Sequence, residues 1–331
     1  MWWGRSEGLS SCRNHLQGFR FLRDRLEIEQ LKVERLKVDE LKVEQLKVDE
    51  LKVRRHETER HETERLRGRW FVIGVIGGTG FYEFLERAQE VTVETPYGDP
   101  SAPLTVGSVD GVDVAFVARH GRDHQFPPHL VPYRANLWAM KEMGVVRVIS
   151  PTAAGSLVKE YEPGHLVVSD QLVDRTWGRP STFYEGQKTV HVSFADPYCP
   201  ELRPLAIESV RAVGATVHER GTMVVIQGPR FSTRAESRWF AASGWEVIGM
   251  TQAPEAVLAR ELEMCFVNIA VLTDYDVGVE GDIPPVSHAA VIERFQATLG
   301  TLKNAVRTLI PRAAGTPRAC ACATALSAAG G

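Results

Sequence analysis

Two regimes of hydrophobic patterning divide the chain near Trp70. Downstream of it, short apolar runs alternate with longer amphipathic stretches, whereas upstream leucine and valine recur among charges at a fixed five-residue spacing. The apolar runs at 72–76, 112–118, 145–149, 165–168, 222–226, 246–248 and 266–272 predict strands. The stretches 133–143, 200–213, 232–243, 254–262 and 287–309 predict helices. Continuous Val/Ile runs suit strands buried on both faces. Strands alternating with helices then imply an α/β fold: a mixed, mostly parallel central sheet covered by helices on both faces. In such a sheet, ligand sites gather in loops at the strand ends.

The upstream segment follows a different logic. Leu31-Lys32-Val33 recurs as Leu36-Lys37-Val38, Leu41-Lys42-Val43, Leu46-Lys47-Val48 and Leu51-Lys52-Val53, and His56-Glu57-Thr58-Glu59-Arg60 is then repeated from His61 to Arg65. A step of five residues moves about 140° around a helix after whole turns are removed, and it changes face at every repeat of a strand, so no apolar seam persists. Residues 1–69 are therefore expected to form a dispensable low-complexity extension. Residues 70–311 are expected to form the folded domain. After Ile310-Pro311 the chain turns to Ala, Thr, Gly and Cys, and 312–331 is expected to be a disordered tail.

Composition narrows the function classes. With 331 residues, 44% of them hydrophobic, there is material for a substantial core. A net charge of -3 provides no general attraction to nucleic acid or anionic membrane, and no apolar run approaches the ~20 residues of a membrane span. The cysteines, Cys12, Cys199, Cys265, Cys320 and Cys322, are odd in number and lack framework spacing, which points to a reducing compartment, the cytoplasm. Cys320-Ala321-Cys322 offers two thiols to a soft metal. With no further ligands beside them, no metal site is expected.

Candidate chemistry sits at the ends of the predicted strands. Gly77-Gly78-Thr79-Gly80 follows the first apolar run. A third glycine at dinucleotide-fingerprint spacing is missing, which leaves a plain turn or a cradle for free phosphate to which Thr79 adds a hydroxyl. Arg119-His120 offers forked guanidinium donors and an imidazole after the second run, although a solvated strand end would read the same way. Thr152, in the small-residue loop Pro151-Thr152-Ala153-Ala154-Gly155-Ser156, leaves backbone N–H and hydroxyl groups accessible. Three such loops would together enclose one phosphate. Phe231, in a Gly-Pro turn before a helix with Ser232 or Thr233 as N-cap, suits either core packing or stacking on a base. Asp274 and Asp276, spaced by an aromatic beyond a buried strand, suit either a surface turn or the receipt of protons from a ring nitrogen and an exocyclic amine.

These motifs, 72–80, Arg119-His120-Gly121, 152–157, 228–236, Met250-Thr251 with Pro254-Glu255, and 273–276, resemble in order those of the 5′-methylthioadenosine phosphorylases, within the trimeric purine nucleoside phosphorylase superfamily. The resemblance implies reversible phosphorolysis of 5′-methylthioadenosine by a homotrimer, with phosphate as co-substrate and no metal or organic cofactor. By position it puts Thr79, Arg119, His120, Thr152, Ala153 and Thr251 around phosphate and Met250 by the ribose. It puts Phe231 by the base, Asp274 and Asp276 on the N7 and N6 side of adenine, and His191 in the neighbouring subunit's site near the 5′ group. Gly249 departs from the pattern, since many relatives have asparagine there. Phosphorylases of 5′-methylthioinosine or of general purine nucleosides are the alternative within the superfamily.

Overall fold

The fold is organised around a long strand that changes neighbours halfway along its length. In the computed structural model, which describes Gln45 and residues 73–78, 85–186, 188–277, 279 and 286–327, this is β5 (Arg147–Ser156). The extension expected over 1–69 thus lies outside the described residues apart from Gln45, and so does Thr79. β5 pairs in parallel with β1 (Ile73–Gly77) only as far as Ile149, and in parallel with β11 (Cys265–Tyr275) along its whole length. At Gly155 and Ser156 it pairs antiparallel with β10 (Val247–Gly249). Between the end of β1 and the start of β10, one edge of β5 is left without a strand partner.

The sheet runs β2 (Glu86–Val91), β3 (Leu104–Val109), β4 (Val112–Ala118), β1, β5, β10, β9 (Thr222–Ile226), β7 (Gln171–Arg175). β11 branches from β5 to β6 (Leu166–Val167), which pairs with β8 (Val217–His218). The pairings β1–β4, β1–β5, β5–β11, β9–β10, β7–β9 and β6–β8 are parallel and the other four antiparallel, the mixed, mostly parallel arrangement that the alternating pattern predicts.

Helices cover both faces because side chains alternate along each buried strand. Ile73 and Val75 face a core completed by Leu202, Ala206 and Val210 of α2 (Leu202–Ala212) and Leu302, Val306 and Leu309 of α5 (His288–Gly315). Ile76 faces the other, where α1 (Tyr133–Glu142) contributes Leu137 and Met140 and α4 (Gln252–Glu261) contributes Ala256 and Ala259. Close packing demands glycine at position 74, where a Cβ would lie 2.8 Å from both Met140 Sδ and Val145 Cγ1. α3 (Arg234–Ala242) starts at a Thr233 N-cap in a capping box with Glu236.

Three features differ from the sequence reading. Residues 151–156 are not a loop but the second half of β5. Pro151 is tolerated because its carbonyl points toward Arg119, past the last β1 residue that pairs with β5, so its missing N–H faces the same side and removes no ladder bond. β2 escapes the hydrophobic pattern because five of its six residues are exposed, as befits a charged edge strand. The tail expected to be disordered from 312 is ordered as far as 327. α5 continues through Pro311 to Gly315, Arg147 Nη2 donates to Thr316 O at 2.7 Å, and Cys320 and Cys322 are buried.

Candidate active site

The gap beside β5 opens into a cavity of about 440 Å³. Its walls come from the ends of separate elements: Gly78 after β1, Arg119 and His120 after β4, residues 151–155 of β5, Phe231 and Ser232 before α3, residues 248–251 from β10 into α4, and Thr273, Asp274 and Asp276 at the end of β11. Its position at the switch in β5's partners is where an open α/β sheet leaves room for a ligand.

At one end lie the groups able to hold an anion. Arg119, only 3% exposed, sits in a rigid bed: Nε donates to Glu255 Oε1 at 2.5 Å, Nη1 to Pro151 O at 3.1 Å, and Nη2 to Ile76 O and Ser150 Oγ, both at 2.7 Å. Glu255, fully buried, fixes the guanidinium plane so that the second Nη1 proton is left for a ligand. Thr152 Oγ1 accepts from Asn268 Nδ2 at 2.9 Å, and Asn268 is in turn set by Ser169 Oγ donating to Oδ1 at 2.8 Å. The Thr152 hydroxyl proton is thereby free to be donated into the cavity. His120 Nδ1 lies 2.8 Å from Phe126 O, so Nδ1 carries the proton and Nε2 presents a lone pair. Burial, then the neighbouring Arg119 charge, push the imidazole down to about 4, which keeps it neutral at pH 7.

At the other end stand the two carboxyl groups, in unlike surroundings. Asp276, 3% exposed, accepts from Ser232 Oγ at 2.9 Å and Ser237 Oγ at 2.5 Å. Asp274 accepts a single described bond, from Thr273 Oγ1 at 2.7 Å. Burial, with the Asp276 charge as a smaller contributor, raises the Asp274 carboxyl to about 6 against the Thr273 bond. Gly155 makes room for it, since a Cβ there would lie 3.0 Å from Asp274 Oδ1. One end can therefore hold an anion while the other offers a proton near neutral pH, the pairing that general acid catalysis on a leaving group needs.

Of the residues singled out in the sequence, Arg119, His120, Thr152, Ala153, Phe231, Met250, Thr251, Asp274 and Asp276 line this one cavity. Thr79 lies outside the described residues. His191 is exposed and does not line the cavity. Sequence reasoning missed His124, whose ring stacks on His120 at 4.6 Å between centroids, and His288, Val291, Ile292 and Phe295 on the first turns of α5. Burial, then His288, lower the His124 value. The apolar spacing at the start of α5 was the available signal, and it reads as core until the helix is seen to begin over a cavity. Ser150 gave no signal of its own, and Glu255 entered only within the Pro254-Glu255 motif, for nothing in the sequence pairs either with Arg119.

Residues 72–311 match the Phosphorylase superfamily. The chain is 52% identical over 254 residues to S-methyl-5′-thioadenosine phosphorylase of Pyrococcus horikoshii, covering 77% of this chain and 97% of that protein. It is 49% identical over 266 residues to purine nucleoside phosphorylase of Streptomyces coelicolor, covering 77% and 94%. Among solved structures, a methylthioadenosine phosphorylase from an antarctic soil metagenomic library superposes with a TM-score of 0.75 at 37% identity, covering 78% of this chain and 92% of that one.

Proposed function

The chain belongs to the phosphorylase superfamily, and we propose that it is a pentosyltransferase catalysing the reversible phosphorolysis of 5′-methylthioadenosine to adenine and 5-methylthioribose 1-phosphate. The observation that carries this reading is the coexistence, in one cavity, of the braced Arg119 and Thr152 donors with an Asp274 carboxyl poised at about 6.

The chemistry follows from charge. As phosphate approaches the anomeric carbon, the N-glycosidic bond lengthens, positive charge builds on the ribose and negative charge on the departing purine. Phosphate held by Arg119, Thr152 and the 251 and 153 positions stabilises the cationic sugar from its own face. The neutral His120 accepts a hydrogen bond at Nε2 from the hydroxyl of monohydrogen phosphate, which turns the other phosphate oxygens toward the sugar. Asp274, protonated, delivers its proton to N7 of the leaving base. Asp276, held by its two serines, receives the 6-amino group. Phe231 stacks on the base and Met250 packs on the ribose. Phosphate is the co-substrate, and no metal or organic cofactor takes part.

The family resemblance supports a homotrimer, in which the exposed His191 of each subunit reaches the 5′ end of a nucleoside bound next door. Cysteines without disulfide spacing support a cytoplasmic setting, and among the described residues no helix is long and apolar enough to cross a membrane.

The test is adenine release from methylthioadenosine with and without inorganic phosphate. Strict phosphate dependence is expected, and release in water alone would mark a nucleosidase instead. The identity to a purine nucleoside phosphorylase favours a second reading, in which 6-oxopurine nucleosides are the substrates. A 6-oxo group presents an acceptor to Asp276, so inosine is expected to turn over far more slowly than methylthioadenosine. Faster turnover of inosine would reverse the assignment.

A further inference from the structure

Far from this cavity, folding gathers four cysteines that the sequence scatters. Cys199 stands just before α2, Cys265 opens β11, and Cys320 and Cys322 follow α5 on the ordered tail. All four are buried and free, and their sulfurs lie within 4.8 Å of one another. Cys320 Sγ is 3.6 Å from Cys199 Sγ and 3.3 Å from Cys265 Sγ. A tetrahedral tetrathiolate with metal–sulfur bonds of about 2.3 Å has edges of about 3.8 Å, so a small inward or outward adjustment brings these sulfurs onto such a tetrahedron.

We propose that Cys199, Cys265, Cys320 and Cys322 form a structural site for one zinc ion, which clamps the carboxy-terminal segment to the sheet.

The surroundings suit thiolate ligands. The Leu202 N–H donates to Cys199 Sγ and Arg318 Nε donates to Cys265 Sγ, both at 3.4 Å. N–H donors to sulfur delocalise thiolate charge, and the Arg318 guanidinium offsets part of the net double negative charge of a zinc tetrathiolate. Four clustered sulfur ligands and their burial select zinc over the hard cations, which require oxygen. Binding is a ligand exchange without redox change: Zn²⁺ takes four thiols as thiolates and releases four protons, so affinity rises with pH.

The placement defines the role. Cys265 and Asp274 stand near opposite ends of β11, roughly 30 Å apart at the usual rise per strand residue. Zinc therefore cross-links Cys199, the sheet and the tail without touching the reacting groups. The Cys-x-Cys pair supplies two ligands from one stretch of chain, and the other two come from elements 121 and 55 residues away from Cys320.

The experiment uses the full chain purified under reducing conditions without chelator. Elemental analysis is expected to find about one zinc per chain, released in step with thiol modification by an organomercurial. Cobalt substitution is expected to produce intense thiolate-to-metal charge-transfer and tetrahedral d–d bands. Cys322→Ser and Cys320→Ser are expected to lose at least ten-fold in metal occupancy and to expose the tail to trypsin at Arg318, with kcat unchanged within about two-fold. Should the variants fold poorly, stripping wild-type protein with a chelator and restoring it with zinc provides the same comparison of proteolysis. Folded protein that is metal-free with all thiols reactive, a disulfide among these four cysteines, or a cobalt form without charge-transfer bands would each overturn the proposal.

Discussion

Replacing Asp274 by asparagine is expected to make the protein more stable while removing its activity. The wild-type carboxyl is raised from 3.8 to about 6 by burial and by Asp276, which means that ionising it costs ~3 kcal/mol more in the folded protein than in the unfolded chain. Because the folded value lies above the unfolded one, the folded state binds more protons between pH 3.8 and about 6, and stability falls as pH rises through that window. Above it the full cost is present. Asparagine keeps an oxygen to accept from Thr273 Oγ1 but brings an amide N–H₂ that needs partners, so roughly half the penalty, about 1–2 kcal/mol, is expected to be recovered. For a domain of this size, that is a rise in Tm of about 2–6 °C. Thermal unfolding of both proteins across pH 4 to 8 measures it: the gain should be full at pH 8, vanish near about pH 5 and turn into a small loss toward pH 4, where the wild-type group is itself neutral. Phosphorolysis should fall at least ~10²-fold, the usual yield of a positioned general acid. A variant no more stable than wild type at pH 8, or a gain independent of pH, would refute the reasoning.

Other expectations follow from the anion-binding end. Arg119→Ala strands the fully buried Glu255 and should lower stability by about 3–5 kcal/mol. Adding Glu255→Gln should return more than half of that in urea unfolding, and strict additivity would mean that the two charges are not coupled. Thr152→Val removes both the acceptor for Asn268 and a donor to phosphate, so the KM for phosphate should rise ~10-fold, with Thr152→Ser restoring most of it. His120 is held at about 4 rather than 6.5, so the unfolded chain binds more protons between these values and stability is lost as pH falls through that window. The stability of His120→Gln should fall less steeply there in urea unfolding followed across pH 4 to 7. Parallel curves for wild type and variant would count against a neutral, buried His120.

Much of the architecture was legible because burial on both faces of a parallel sheet writes itself as unbroken Val/Ile runs. Strands β1, β4 and β9 and helices α1, α2 and α4 appear where those runs and the 3.6-residue periodicity put them. β2 was invisible for the converse reason: an exposed edge strand such as 86–91 needs no apolar side chains. Pro151 read as a strand terminator because the sequence does not say which side of β5 lacks a neighbour. The end of α5 was misplaced for a similar reason, since Pro311 forbids one hydrogen bond but packing of Leu309, Ile310 and Ala313 against the sheet outweighs it.

The sequence by itself determined the alternation of elements and the types of side chain at the strand ends, because both depend on local hydrophobicity, turn chemistry and motif spacing. Only the tertiary structure decided which distant groups meet. Glu255 reaches Arg119 across 136 positions, Ser237 meets Asp276 across 39, and Cys199 meets Cys320 across 121. A carboxyl's proton affinity, a guanidinium's fixed plane and a thiol cluster all depend on burial and on neighbours brought by folding, and neither is a property of any stretch of chain read alone.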